Sequence, residues 1–260
     1  MRSCVVLALL PLACNPAPAD TDVAASDATG PATTSTSEAT TGDATTGDAS
    51  DDTTGAPTAD LDRSPVEFTC APGEGPSDRF IDCVESFSPQ GATFGQDRFP
   101  AVVYGPPMPG PANMGSLDVL ALGCDGQITL YFDDPAIVDG PGPDLVIFEN
   151  PIPLGDATFA EPARVLVSAD GREWHAFPCD PAGDPALRGC AGVALVDPDA
   201  DPDDPAHAGG DAFDLAELGL TTARYVRLID VGVAYHGGRT WCGGGGGGFD
   251  LDAIAAVHAP

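Results

Sequence analysis

Seven acids stand where apolar segments begin or end: Asp139, Asp144, Glu149, Asp211, Asp214, Asp250 and Asp252. Carboxylates held near a core repel one another unless a cation or hydrogen-bond donors compensate. Ca²⁺ suits that setting, because it takes about six to eight oxygen ligands from carboxylates, carbonyls and amides. The pattern predicts at least one structural Ca²⁺ site drawn from these acids. Glu149, Asp250 and Asp252 stand at its centre, and Asn150 offers an amide oxygen. The competing reading is purely structural: Asp139 and Asp144 shape turns, and Asp211 caps a helix.

Two other segments concentrate polar chemistry. Asp197, Asp199, Asp201 and Asp203 alternate as in a Ca²⁺ loop. Pro202 stands where an EF-hand needs glycine, and no Glu follows where that loop closes, so the segment reads as an acidic solvated loop. Further on, Tyr235, His236, Arg239 and Trp241 gather beside Cys242 and a run of six glycines, 243–248. Aromatic faces plus a few fixed donors can hold a sugar, and Cys242 would tether the loop. The alternative is an insertion with Trp241 tucked onto the domain. Catalytic motifs are absent: there is no G-x-S-x-G, no H-E-x-x-H and no P-loop. His175 follows Trp174 within a strand-like segment and reads as structural.

The elements that must position these residues read as strands with turns between them. The candidates are 101–104, 117–122, 127–132, 144–149, 163–168, 173–177, 224–230 and 251–258. Ile128, Leu130 and Phe132 alternate with Gln127, Thr129 and Tyr131, the period of a half-buried strand. Leu145-Val146-Ile147-Phe148 is continuously apolar, as in a strand covered on both faces. A short helix is expected over 213–218, with Asp211 as its cap and Gly219 as its stop. Beyond the first fifteen residues there are six cysteines: Cys70, Cys83, Cys124, Cys179, Cys190 and Cys242. An even count in a secreted chain implies disulfides, here up to three, and about 15 pairings are open. Proximity favours Cys70–Cys83 and Cys179–Cys190, which leaves Cys124–Cys242. No C-x₂-C pair supports zinc.

Charge and composition bound the partners. The chain has 260 residues, 40 acids against 10 bases, a net charge of −30 and no lysine. Phosphate contacts need clustered Lys or Arg, so nucleic acid is excluded as a partner. With 32 Gly and 27 Pro the chain is loop-rich, which excludes a coiled coil. At the start, Arg2 precedes an apolar run too short to span a bilayer, which is a secretory signal. It ends Leu12-Ala13-Cys14 and resembles a bacterial lipobox, in which Cys14 would carry the lipid. Residues 15–62 are Thr, Ser, Ala, Asp, Gly and Pro with ten acids and no base, a disordered linker that self-repulsion extends. The organisation is a signal (1–14), a linker (15–62) and one β domain (63–260).

Val165-Leu166-Val167-Ser168-Ala169-Asp170-Gly171-Arg172-Glu173-Trp174 reads as a strand, a tight turn and a return. With Ala223-Arg224-Tyr225-Val226-Arg227-Leu228 and Gly248-Phe249-Asp250-Leu251-Asp252-Ala253-Ile254, it resembles the discoidin-like, galactose-binding-like β-sandwich. Phe94-Gly95-Gln96-Asp97, Gly115-Ser116-Leu117-Asp118, Asp139-Gly140-Pro141-Gly142-Pro143-Asp144, Phe148-Glu149-Asn150 and Gly209-Gly210-Asp211-Ala212-Phe213-Asp214 extend the likeness. It reaches a family of secreted bacterial cell surface proteins of myxobacterial type. The resemblance implies an all-β antiparallel sandwich (jelly-roll, galactose-binding-like) with one short helix, a structural Ca²⁺ and a surface location. The expected function is a monomeric, non-catalytic binding or adhesion lipoprotein of the outer membrane, attached only by lipid, or else a secreted protein. Its partner would be an extracellular glycan or another cell-surface component. A structural envelope protein without a ligand is the rival reading, and a glycan hydrolase the third.

Overall fold

Period-two alternation at 127–132 and 224–230 places one row of apolar side chains on a common face, and those two segments pair at the centre of the fold. A computed structural model of the chain describes residues 66–67, 70, 78–108, 110, 116–155, 157–183, 186–197, 200–201, 204–239 and 244–258. The chain divides into two units, Met1–Pro57 and Thr58–Pro260, and all described residues lie in the second. Cys14, the 15–62 linker, Trp241 and Cys242 lie outside the described residues. No helix among the described residues is long and apolar enough to cross a membrane.

The described strands are β1 (Val66–Glu67), β2 (Cys83–Ser88), β3 (Leu120–Ala121), β4 (Gln127–Tyr131) and β5 (Ile137–Val138). They continue with β6 (Leu145–Phe148), β7 (Ile152–Leu154), β8 (Ala157–Phe159), β9 (Ala163–Ser168) and β10 (His175–Ala176). The last are β11 (Asp211–Phe213), β12 (Thr222–Ala223), β13 (Tyr225–Asp230), β14 (Asp250–Leu251) and β15 (Ala253–Ala256). A six-stranded sheet runs β1-β2-β4-β13-β9-β10, and a three-stranded sheet runs β11-β6-β15, with every strand pair antiparallel. Ile128, Leu130, Val165, Val167, Val226 and Leu228 from the first sheet share one core with Leu145, Ile147 and Ile254 from the second. The fold is therefore an all-β antiparallel sandwich.

β6 is buried along its whole length. Ile147 faces the main core, while Val146 and Phe148 pack under Phe80, Val196 and Ala208. The continuous apolar run is thus explained by cover on both faces. Leu130 lies fully buried on β4, between β2 and β13. Leu130→Ala is expected to cost about 3 kcal/mol, read as a lower urea midpoint with an unchanged slope.

The structure differs from the sequence reading in local detail. Residues 101–103 form a 3₁₀ turn instead of a strand. The 117–122 candidate pairs only at Leu120–Ala121. The expected helix begins later, as a 3₁₀ turn Leu215–Leu218 that Asp214 caps by accepting from Ala216 N, with left-handed Gly219 as its stop. Asp211 instead opens β11, because its carboxylate is drawn to backbone amides on another loop. Among the described residues the α-helix is α1 (Gly232–Tyr235), which runs into the start of the segment read as a binding loop. β1, β2, β5, β7, β8, β11 and β12 fall outside the expected strands, because short or half-polar segments carry little periodicity.

Two disulfides follow chain proximity: Cys70–Cys83 and Cys179–Cys190, with Cα atoms 5.7 and 4.6 Å apart. Cys124 is also disulfide-bonded.

Candidate metal centre

Three strand ends meet at one end of the sandwich. Glu149 follows β6, Asp250 opens β14, and Glu161 lies two residues before β9. Asp252 N donates to Phe148 O at 3.1 Å, which brings the 250–252 segment beside Glu149. Val231 N donates to Pro162 O at 2.8 Å, holding the Glu161 segment at the exit of β13. Glu161 Oε1 then accepts from Gly248 N at 2.9 Å. Two glycines permit this convergence. Gly248 has φ +80°, and a Cβ there would lie 2.6 Å from the Gly123 carbonyl carbon. Gly192 has φ +84°, and a Cβ there would lie 2.5 Å from Glu161 O.

Glu149, Glu161 and Asp250 each bring a carboxylate oxygen within 4.8 Å of the other two. Glu149 is 1% exposed and Asp250 is 7% exposed. Glu149 Oε2 and Asp250 Oδ1 are buried without a hydrogen-bond partner. Burial first, then the Asp250, Glu161 and Asp211 carboxylates, pushes Glu149 well above the usual carboxylate range. Burial and Asp250 push Glu161 up to about 8, against the bond from Gly248. Burial and Asp230 push Asp250 up to about 7. In each case the charged form is disfavoured because the group is dry and its neighbours carry the same sign.

The donor set fits Ca²⁺. The group offers carboxylate oxygen only, at least one atom from each of three side chains, with neither His nor Cys. An ion there would give the orphaned oxygens a partner and cancel the mutual repulsion. Ca²⁺ also tolerates irregular geometry, whereas Mg²⁺ demands a near-ideal octahedron. Glu149, Glu161 and Asp250 are the residues that would hold it.

The remaining predicted ligands divide by what their oxygens already do. Asp211 accepts from Gly192 N, Val193 N and Ala194 N at 2.7–3.1 Å, and burial still lifts it to about 6. It flanks the group and pins the 192–194 loop, which follows Cys190 of the Cys179–Cys190 disulfide in the chain. Asp252 accepts from Met108 N at 3.2 Å, keeps Oδ2 unpartnered, and is raised to about 7 by burial; it stands outside the triad. Asn150 Nδ2 donates to Ser116 O at 3.1 Å. Asp139, Asp144 and Asp214 form a second close group elsewhere. There Asp144 is fully buried, with Oδ1 accepting from Gly140 N and Oδ2 from Leu215 N, and Asp214 caps the 3₁₀ turn.

Two residues of the site escaped sequence reasoning: Glu161 and Asp230. Asp230 is buried, accepting from Asp125 N and Gly232 N through Oδ1 and from Phe249 N through Oδ2. Both acids stand at strand ends, so the positional rule that selected the others would have found them; they fall outside the family-like landmarks.

The predicted binding loop lies against the same region. Tyr235 packs on the small cluster of Ala160, Leu187 and Cys190. The His236 ring stacks on Phe159 with centroids 5.3 Å apart, and its Nε2 lies 3.1 Å from Ala160 O. Arg239 Nη2 pairs with Asp125 Oδ2 at 2.6 Å. Tyr235 and His236 are thus brought together, Arg239 is drawn to the 125 turn, and Trp241 lies outside the described residues. No known family model matches this chain, and no curated protein matches it.

Proposed function

We propose that this chain is a surface-anchored, non-catalytic binding or adhesion lipoprotein whose β-sandwich is stabilised by Ca²⁺. Cys14 would carry the lipid, residues 15–62 would hold the domain off the outer membrane, and the 234–242 loop would meet an extracellular glycan. The likeness to secreted bacterial cell surface proteins supports the same reading. The observation that carries it is the triad of Glu149, Glu161 and Asp250, with Glu149 and Asp250 buried, Glu161 half-buried, and Glu149 Oε2 and Asp250 Oδ1 left unpartnered. Such an arrangement is costly unless a cation balances it. Tyr235 and His236 sit directly over the segment that bears Glu161, so an ion would stiffen the loop offered to the ligand.

The test is a glycan array probed with the full chain, in Ca²⁺ and in chelator. The expected result is a specific signal that falls at least about tenfold in Trp241→Ala. A signal that the variant retains places the contact elsewhere. No signal in either buffer favours a structural envelope protein.

A further inference from the structure

Glu149 and Glu161 bracket a single hairpin. Glu149 lies three residues before β7, and Glu161 lies two residues after β8. β7 and β8 pair only with each other, Ile152 opposite Phe159 and Leu154 opposite Ala157, and join neither large sheet. A two-stranded hairpin is marginal in water without further packing. This one exposes much of its apolar surface: Ile152 is 38% exposed and Leu154 59%. Its described contacts are at the roots. Asn150 donates to Ser116 O on one side, and Phe159 and Ala160 meet His236 on the other. Asp250, the third member of the triad, belongs to β14, which pairs with β3 at the end of the sandwich.

We propose that Ca²⁺ is a latch for the β7–β8 hairpin: one ion held by Glu149, Glu161 and Asp250 ties both roots of the hairpin to each other and to the sandwich. The inference rests on the metal-binding reading above and adds a conformational consequence to it. Glu149 Oε2 and Asp250 Oδ1, buried and unpartnered, point to the ion's place. Without the ion, the three carboxyl groups meet where the hairpin is fastened, and Glu149 Oε2 and Asp250 Oδ1 find no partner there. With it, the Phe159–His236 stack and the Tyr235 segment are held in place as well.

The experiment uses the full chain with CaCl₂ or EGTA. Isothermal titration reads binding, and amide hydrogen exchange reads the hairpin over 152–159 against β2 as an internal reference. Ca²⁺ is expected to slow exchange in the hairpin at least about tenfold more than in β2. Binding heat with equal effects on hairpin and β2 overturns the latch and leaves the metal site standing. No binding heat overturns both. Glu161→Gln keeps an acceptor for Gly248 N but removes the root charge, and it is expected to lose the Ca²⁺-dependent protection. Retention of that protection in the variant also overturns the latch. Should the variant fail to fold, the exchange of the unaltered chain decides the matter.

Discussion

Ca²⁺ at a fixed concentration, about 100-fold above its Kd at pH 8, is expected to raise the melting temperature of this domain by about 5–10 °C at that pH, and by less at pH 5. Saturation to that degree contributes about 2.7 kcal/mol, and about 2–4 °C accompany each kcal/mol in a domain of this size. The pH dependence comes from Glu149, Glu161 and Asp250. Their folded-state pKa values lie above the ordinary carboxylate values near about 4. The metal-free fold therefore binds more protons than the unfolded chain between about pH 4 and pH 8, and stability falls as pH rises through that window. Asp250, lifted to about 7, accounts for on the order of 4 kcal/mol of that loss, because each pKa unit is about 1.4 kcal/mol. Ca²⁺ bound there would oppose the loss, since it would take the deprotonated carboxylates and release their protons. Thermal melts at pH 5 and pH 8, with Ca²⁺ and with EGTA, check both parts. Identical melts in the two buffers at pH 8 would end the metal reading.

Asp230→Ala is expected to cost about 4 kcal/mol, a fall of about 10 °C in melting temperature. Asp230 is 1% exposed, and its carboxylate is the acceptor for three backbone amides, those of Asp125, Gly232 and Phe249. Alanine leaves those donors without their partner in a dry setting, and each orphaned amide costs about 1–3 kcal/mol. Asp230→Asn should cost less than half as much. It keeps one acceptor oxygen, and it removes a charge that raises both Asp250 and Glu161. Urea unfolding of the two variants at one pH separates the contributions. An alanine variant within about 1 kcal/mol of the unaltered chain would show that water replaces the carboxylate at little cost.

Legibility differed by scale. The centre of the sandwich was plain, because β4, β9 and β13 alternate strongly and β6 is continuously apolar; 163–168 matches β9 from end to end. The edges were not. β7, with Ile152 and Leu154 facing solvent, has no buried face to impose a pattern, and 101–103 has β-branched residues yet turns as a 3₁₀ segment. Acids at strand ends pointed to part of the close carboxylate group, since Glu149 and Asp250 follow that rule. The signal did not separate a carboxylate that faces other carboxylates from one that collects backbone amides. Asp211 belongs to the second kind, Glu149 and Asp250 to the first, and Asp144 collects two amides while also standing close to Asp139 and Asp214.

The sequence by itself determined the β class, the acidity, the two near-neighbour disulfides and the rule that acids sit at strand ends. Each is local: side-chain periodicity, composition, and short loops closed by cysteine. Only the tertiary structure decided which acids meet. Glu149, Glu161 and Asp250 lie on separate elements, and their approach depends on the β6–β15 register, on the loop between β13 and β14, and on Gly192 and Gly248 admitting a neighbouring backbone. The number of charges at the site was written in the chain. Their repulsion, which protons or a cation would relieve, exists only once folding removes them from water and sets them within a few ångströms of one another.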